Sequence, residues 1–198
     1  MGKMLTAFVC ALVVVVSAPA AGAAATYTVD KAHSSIGFSI MHMMISRVVG
    51  QFDDFTGDVQ FDPDDPANSK LDFDIEVATI NTKNDKRDGH LRGADFFDAE
   101  KFPLIIFRSR KIVKKEAGVY DVTGDLTMKG VTKEVTYPVT VLGPVKDPMS
   151  GGTALGLEAR FSVDRQEYGV NWNKALDNGG LLIGNDVDVV VSIGLEKK

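Results

Sequence analysis

Cysteine is almost missing from these 198 residues: the single one, Cys10, lies in an apolar run near the start of the chain. If that run is cleaved, no thiol remains, and neither a disulfide framework nor a thiolate metal site can form. Histidine is nearly as scarce, with His33, His42 and His90 alone. No two of them are spaced to share a helix face or adjacent strand positions, so imidazole ligands are too few for a zinc centre. Basic residues are outnumbered, 22 against 27 acidic, and no Lys/Arg block occurs. That argues against a nucleic-acid surface or an electrostatic membrane patch. A Gly-x-Ser-x-Gly elbow, a Gly-rich phosphate loop and a zinc-protease helix are all lacking, so catalysis has little support. A Ser-His-Asp set could be drawn from Ser34 or Ser39 with His42 or His90, but any chain of this size offers those residue types. Internal repeats and low-complexity segments are absent too.

The one long apolar run, Leu5 to Val16, is too short to span a bilayer. Lys3 precedes it, and Ala18 to Ala25 supplies small residues, with Ala23 and Ala25 suited to a cleavage site. Residues 1–25 therefore read as a secretory signal peptide, and residues 26–198 as one mature domain. Removing Lys3 leaves 21 basic against 27 acidic residues, a net charge of −6. Export without disulfides fits a bacterial periplasm.

Most of what remains alternates apolar and polar side chains with the period of a β-strand. Ile36, Phe38, Ile40, His42 and Met44 fall on one face of a strand over Ser35 to Ile45. Val48 to Phe61 is one long strand or two, interrupted at Gly50 and at Asp53-Asp54. Leu71, Phe73, Ile75 and Val77 alternate with acidic residues, and Ile105 with Phe107 share a face in the strand over Leu104 to Val113. Tyr120 to Met128 and Val135 to Val141 form a hairpin pattern across Lys129-Gly130. Gly143 to Gly152 reads as a loop. Leu155 to Val163 and Val187 to Leu195 complete the set, separated by an irregular stretch with the only tryptophan, Trp172. About eight antiparallel strands of this kind bury their apolar faces and lose their edges by closing into a barrel. A sandwich satisfies the same pattern.

One segment does not alternate. From Asp85 to Arg92 six of eight side chains are charged or His, and Phe96, Phe97, Phe102 and Pro103 come after them. Asn84 or Asp85 can cap a short helix, and Pro103 closes the segment. The spacing predicts a helical crossover at one end of the barrel, its Phe residues turned to the strands. Arg87, Asp88, His90 and Arg92 supply both charge signs for a network pinning it there, or for a polar mouth that orients a headgroup.

The run from Asp85 through Arg87, Asp88, His90, Leu91, Arg92, Asp95, Phe96, Phe97 and Asp98 to Phe102-Pro103 resembles the signature of the YceI-like family. So do Asp30, His33, Ser34 and Phe38, the pair Gly124-Asp125-Leu126-Thr127 and Gly130-Val131-Thr132-Lys133, and the stretch from Tyr168 through Trp172 to Gly184. The resemblance covers essentially the whole mature chain. It implies a single closed, eight-stranded, lipocalin-like antiparallel barrel that holds a long isoprenoid or similar lipid in an apolar tunnel. Candidate ligand-binding residues are then Phe38, Ile40, His42, Phe52, Phe55, Ile75, Arg87, Asp88, His90, Phe96, Phe97, Phe107, Leu126, Phe161 and Trp172. The expectation is an exported lipid carrier, not an enzyme, without cofactor or metal. Its partner is an isoprenoid or fatty-acid-like lipid, without nucleic acid or stable membrane insertion, and a homodimer stays open. The competing readings are an enzyme acting on a lipid and a filled barrel that binds a protein partner.

Overall fold

In the computed structural model, residues 24–176 and 180–198 are described; most of the predicted leader, residues 1–23, lies outside them. The strands are β1 (Ala25–His42), β2 (Ser46–Phe52), β3 (Phe55–Phe61), β4 (Lys70–Glu76), β5 (Ile80–Asn81), β6 (Leu104–Glu116), β7 (Val119–Met128), β8 (Val131–Lys146), β9 (Thr153–Asp164) and β10 (Ile183–Lys197). One α-helix, α1 (Asp85–Arg92), crosses between β5 and β6. The first strand begins at Ala25, one residue inside the predicted leader.

The sheet runs β10-β9-β8-β7-β6-β4-β3-β1, and β10 pairs with β1 to close the ring. Every pairing is antiparallel. β2 and β3 act as two halves of one wall strand: β1 pairs β2 from Ile36↔Phe52 to His42↔Ser46, and its start pairs β3 at Ala25↔Phe61. The break between them is at Asp53-Asp54, and Gly50 lies unbroken within β2. With β5 a two-residue stub on β2, the ring is an eight-stranded barrel, and closure decides against the sandwich.

Period-two alternation explains the wall. Tyr120, Val122 and Leu126 of β7 are buried, as are Leu155, Leu157 and Val163 of β9 and Ile193 and Leu195 of β10. Gly124 stands in the same inward row because nothing larger fits. A Cβ there would lie 2.4 Å from the Arg108 carbonyl oxygen and 2.8 Å from the Phe107 ring, where β6 shifts register between Ser109 and Lys111. Backbone cannot yield as a side-chain tip can, so Gly124→Ala should cost about 1–3 kcal/mol in urea denaturation. Gly37→Ala, with only ordinary contacts at 3.7 Å or more, should be neutral or slightly stabilising. Equal effects at both sites contradict this account.

Two boundaries differ from the sequence pattern. β1 ends at His42, and Met43 and Met44 turn the chain with φ of 52° and 63°, so Met44 leaves the inward row and is exposed. β8 continues past Leu142 through a cis Gly143-Pro144 bond to Lys146. A register shift between Leu142 and Val145 accommodates the proline, as bulges do.

The helix is almost wholly polar, and polar bonds hold it. The Asn84 side chain accepts from the Arg87 backbone N–H at 3.0 Å and caps it. Asp85 and Asp88 lie in the first turn and His90 and Arg92 in the last, as the helix dipole favours. Asp88, 4% exposed, accepts from both the backbone N–H and the hydroxyl of Thr82. Arg87 donates from Nε to the Thr82 hydroxyl at 2.7 Å and from Nη2 to its carbonyl at 2.9 Å. Arg92 reaches the Ile80 carbonyl at 3.2 Å. The helix is thus pinned to β5 and the residue after it. His90 takes no part in this network, contrary to expectation: it pairs with the exposed Asp95 at 3.1 Å.

Candidate functional site: a two-chambered apolar cavity

The barrel interior is not filled. An outer chamber of about 490 Å³ lies under α1, and an inner one of about 150 Å³ lies deeper among β4, β6, β7, β9 and β10. Phe52, Ile105, Met128, Val163 and Val189 line both, so these five side chains form the boundary, or waist, between the chambers. Together they match the size usual for small-molecule sites, roughly 300–1,000 Å³.

The outer chamber is built from aromatic side chains that brace one another. Phe38 packs on Phe52 with centroids 5.6 Å apart, and Phe97 meets Phe52 edge-on at 6.2 Å. Over the helix end, His90, Phe96 and Trp172 form a triangle with sides of 4.9, 5.1 and 5.2 Å. Trp172 has no regular element to hold it. Arg165 does so instead, from the short 3₁₀ turn Arg165–Tyr168 that follows β9. Its guanidinium donates to the carbonyls of Val170, Trp172 (3.0 Å) and Gly184 (2.9 Å), tying the Trp172 segment to β10. Burial pushes this guanidinium below its ordinary value, and its Nη2 has no acceptor among the described residues.

Polar groups collect at one end of the outer chamber. Asn84, Lys86, Arg87, His90 and His42 line it there, and Asn84, Lys86 and His90 are exposed. The opening is therefore between the start of α1, the β1–β2 turn and the segment around Leu182. The inner chamber is dry-walled: Phe73, Ile75, Phe107, Leu126, Tyr137 and Phe161 are among its lining. Tyr137 stacks on Phe161 at 3.7 Å, and burial pushes its hydroxyl up to about 12. Burial raises Tyr27, Tyr120 and Tyr168 too, and these are all four tyrosines in the chain.

An unfolded tyrosine ionises near pH 10. With the folded value above the unfolded one, stability is intact below about pH 10 and falls as pH rises toward the folded value. Phenolate absorbance should therefore rise in one step together with alkaline unfolding, not singly before it. A tyrosine that ionises near pH 10 with the circular dichroism unchanged contradicts this.

Of the residues proposed from sequence, Phe38, Ile40, His42, Phe52, Arg87, His90, Phe96, Phe97 and Trp172 line the outer chamber. Ile75, Phe107, Leu126 and Phe161 line the inner one, with Phe52 between. Phe55 and Asp88 line neither. Phe55 is core opposite Ile75 in the β3–β4 ladder, and Asp88 is the anchor of the helix. Met41 joins the wall unpredicted, because a register shift between Ile40 and His42 breaks the alternation against β10. Arg165, Val170 and Leu182 lie in segments with no periodicity to read. Val163, Val187 and Val189 were legible, since each occupies the inward row of its strand. Among the described residues no three His, Asp or Glu side chains gather at a metal-binding spacing.

Comparison with known proteins agrees with this architecture. A UPF0312 protein of Staphylococcus aureus is 41% identical over 161 residues, covering 81% of this chain and 91% of that one. The crystal structure of Burkholderia cenocepacia BcnA superposes with a TM-score of 0.74 at 26% identity, over 84% of this chain and 98% of that one. The Campylobacter jejuni YceI protein gives 0.67 at 31% identity, over 86% and 97%. A polyisoprenoid binding domain from Saccharophagus degradans gives 0.65 over 88% and 99%, and at 16% identity it shares the fold alone. A family model described as a YceI-like domain matches residues 27–195. With nearly the whole barrel inside that match, the chain belongs to the YceI-like family.

Proposed function

We propose that the protein is an exported, non-enzymatic carrier that sequesters a long apolar lipid, a polyisoprenoid or a similar amphiphile. The observation that carries this reading is the pair of adjoining chambers, lined almost wholly by apolar side chains, with the exposed Asn84, Lys86 and His90 at one end of the outer one and the Arg165 guanidinium buried in its wall. A chain that enters tail first leaves its head among Asn84, Lys86, Arg87 and His90, with its tail passing the waist. Burial of apolar surface at about 25 cal/mol per Å² then binds a long tail tightly without specific polar contacts. The Saccharophagus domain, named for polyisoprenoid binding, has the same barrel, which supports this choice of ligand. Export rests on the signal-peptide pattern of residues 1–25, and the periplasm is the compartment it fits.

The test is native mass spectrometry of protein recovered from the envelope, followed by delipidation and titration with a polyprenyl alcohol. The mass should show cleavage near residue 25 and an adduct of lipid size. Lipid at a hundredfold excess over its dissociation constant should stabilise the fold by about 2.7 kcal/mol. Bare protein in the spectrum together with no thermal shift at saturating lipid overturns the carrier reading.

A further inference from the structure

The rim of the outer chamber carries apolar side chains where water should meet it. Met43, Met44 and Ile45 join β1 to β2 there and are 41, 61 and 81% exposed; Leu181 beside them is 40% exposed. The Met43 N–H donates to the Leu182 carbonyl at 2.8 Å, which ties the turn to the opposite lip, and Leu182 and Ile183 of that lip line the chamber. Apolar side chains thus continue from the chamber wall at Met41, Leu182 and Ile183 onto the turn.

The backbone of the turn is unfavourable for the residues that occupy it. Met43 and Met44 are both in the left-handed region, at φ of 52° and 63°. Glycine fills that conformation at no steric cost, and Asn or Asp at less than other residues. A water-facing turn of this shape therefore gains from Asn, Asp or Gly on conformational and solvation grounds alike. This chain places two methionines there and an isoleucine after them. Isolated exposed apolar residues need no explanation, but a contiguous apolar lip on one side of a cavity mouth marks an interaction site.

We propose that the Met43–Ile45 turn with Leu181 is a shallow docking element that seats the cavity mouth on a lipid bilayer. The inference rests on the carrier reading: a long apolar lipid resides in a membrane, and a mouth held against the membrane lets it enter without crossing water. The occupant is a bilayer because the apolar rim is continuous with the chamber that receives the lipid. Contact is by apolar insertion at the interface, which suits a chain with acidic excess. Lys86, exposed near the start of α1, is part of the chamber's lining and can meet headgroup phosphates.

The test uses the double variant Met43→Asn/Met44→Asp and, separately, Ile45→Asp. Asn and Asp suit the left-handed turn, so the melting temperature should hold. Val145→Asp, on the β8–β9 hairpin at the other end of the barrel, is the control. Co-sedimentation with phosphatidylethanolamine–phosphatidylglycerol vesicles should fall roughly tenfold or more for the turn variants. Uptake of a fluorescent polyprenyl alcohol from those vesicles should slow comparably, while affinity for the same probe delivered from detergent stays unchanged. Val145→Asp should match the unaltered protein. If the unaltered protein ignores vesicles, or the turn variants sediment as well as it does, the docking proposal is overturned. Retention of a protein partner by the turn in place of vesicles overturns it equally. Failure of the carrier reading shows differently: the probe then binds from neither source, while sedimentation still decides the docking.

Discussion

Val189→Trp should remove most lipid affinity and leave the fold standing. Val189 is one of the five side chains at the waist, opposite Phe38 on β1 and Phe161 on β9. An indole there takes open space at the boundary of the two chambers and keeps lipid out of the inner one. Each methylene kept out of that chamber forfeits about 0.8 kcal/mol. Losing even four of them weakens binding about 200-fold. Stability should change little, because the ring fills a void. A packed interior predicts the reverse, with overpacking costing about 1–3 kcal/mol and no lipid affinity to lose. Isothermal titration with a polyprenyl alcohol, run beside urea denaturation, distinguishes the two outcomes. If stability drops while affinity holds, the chambers are not the ligand site.

Asp88→Ala should be among the most damaging single changes to the fold. It deletes the acceptor of both Thr82 donors, and Thr82 is also the residue to which the Arg87 guanidinium donates. Leaving two buried donors without their acceptor typically costs about 1–3 kcal/mol, and more where the acceptor is charged. The urea midpoint should fall accordingly, and Trp172 emission should shift to the red, because His90 and Phe96 on the loosened segment cover that ring. His90→Ala is the informative contrast. Its ion pair with Asp95 is exposed, and such pairs contribute at most about 1 kcal/mol. Equal losses for the two variants would show that the pinning does not run through Asp88.

The barrel was legible because each strand has one face to bury, and a period of two leaves few alternatives over ten or more residues. Met128 and Val189 sit where alternation places them, and so do Phe107 and Phe161. The helix was legible from its cap and its charges. What alternation could not supply was the difference between a cavity and a core, since Phe55 and Phe107 look alike in sequence. Phe55 is buried in the packed core, while Phe107 faces the inner chamber. Nor could it place Arg165 and Trp172, whose positions are set by three backbone carbonyls converging on one guanidinium. Where alternation ran past a turn, as at Met44, it turned a water-facing residue inward.

The β1–β10 seam has a consequence for how the barrel comes into being. It joins the two ends of the folded chain, from Tyr27↔Lys197 to His42↔Ile183, with Lys198 also donating to the Thr26 carbonyl at 3.0 Å. Hairpins between successive strands form from neighbours in sequence; this ladder waits for a partner almost the whole chain away. Contacts of such separation carry the loop-closure entropy that slows β-proteins. Until β10 arrives, β1 keeps an unpaired edge and the nascent barrel is an open trough with its apolar floor in water, the form most prone to pair with another copy. A chain that crosses a membrane amino end first would hold that state until its final strand emerges. Ring closure is then the step that both completes the cavity and ends the exposure to misassembly.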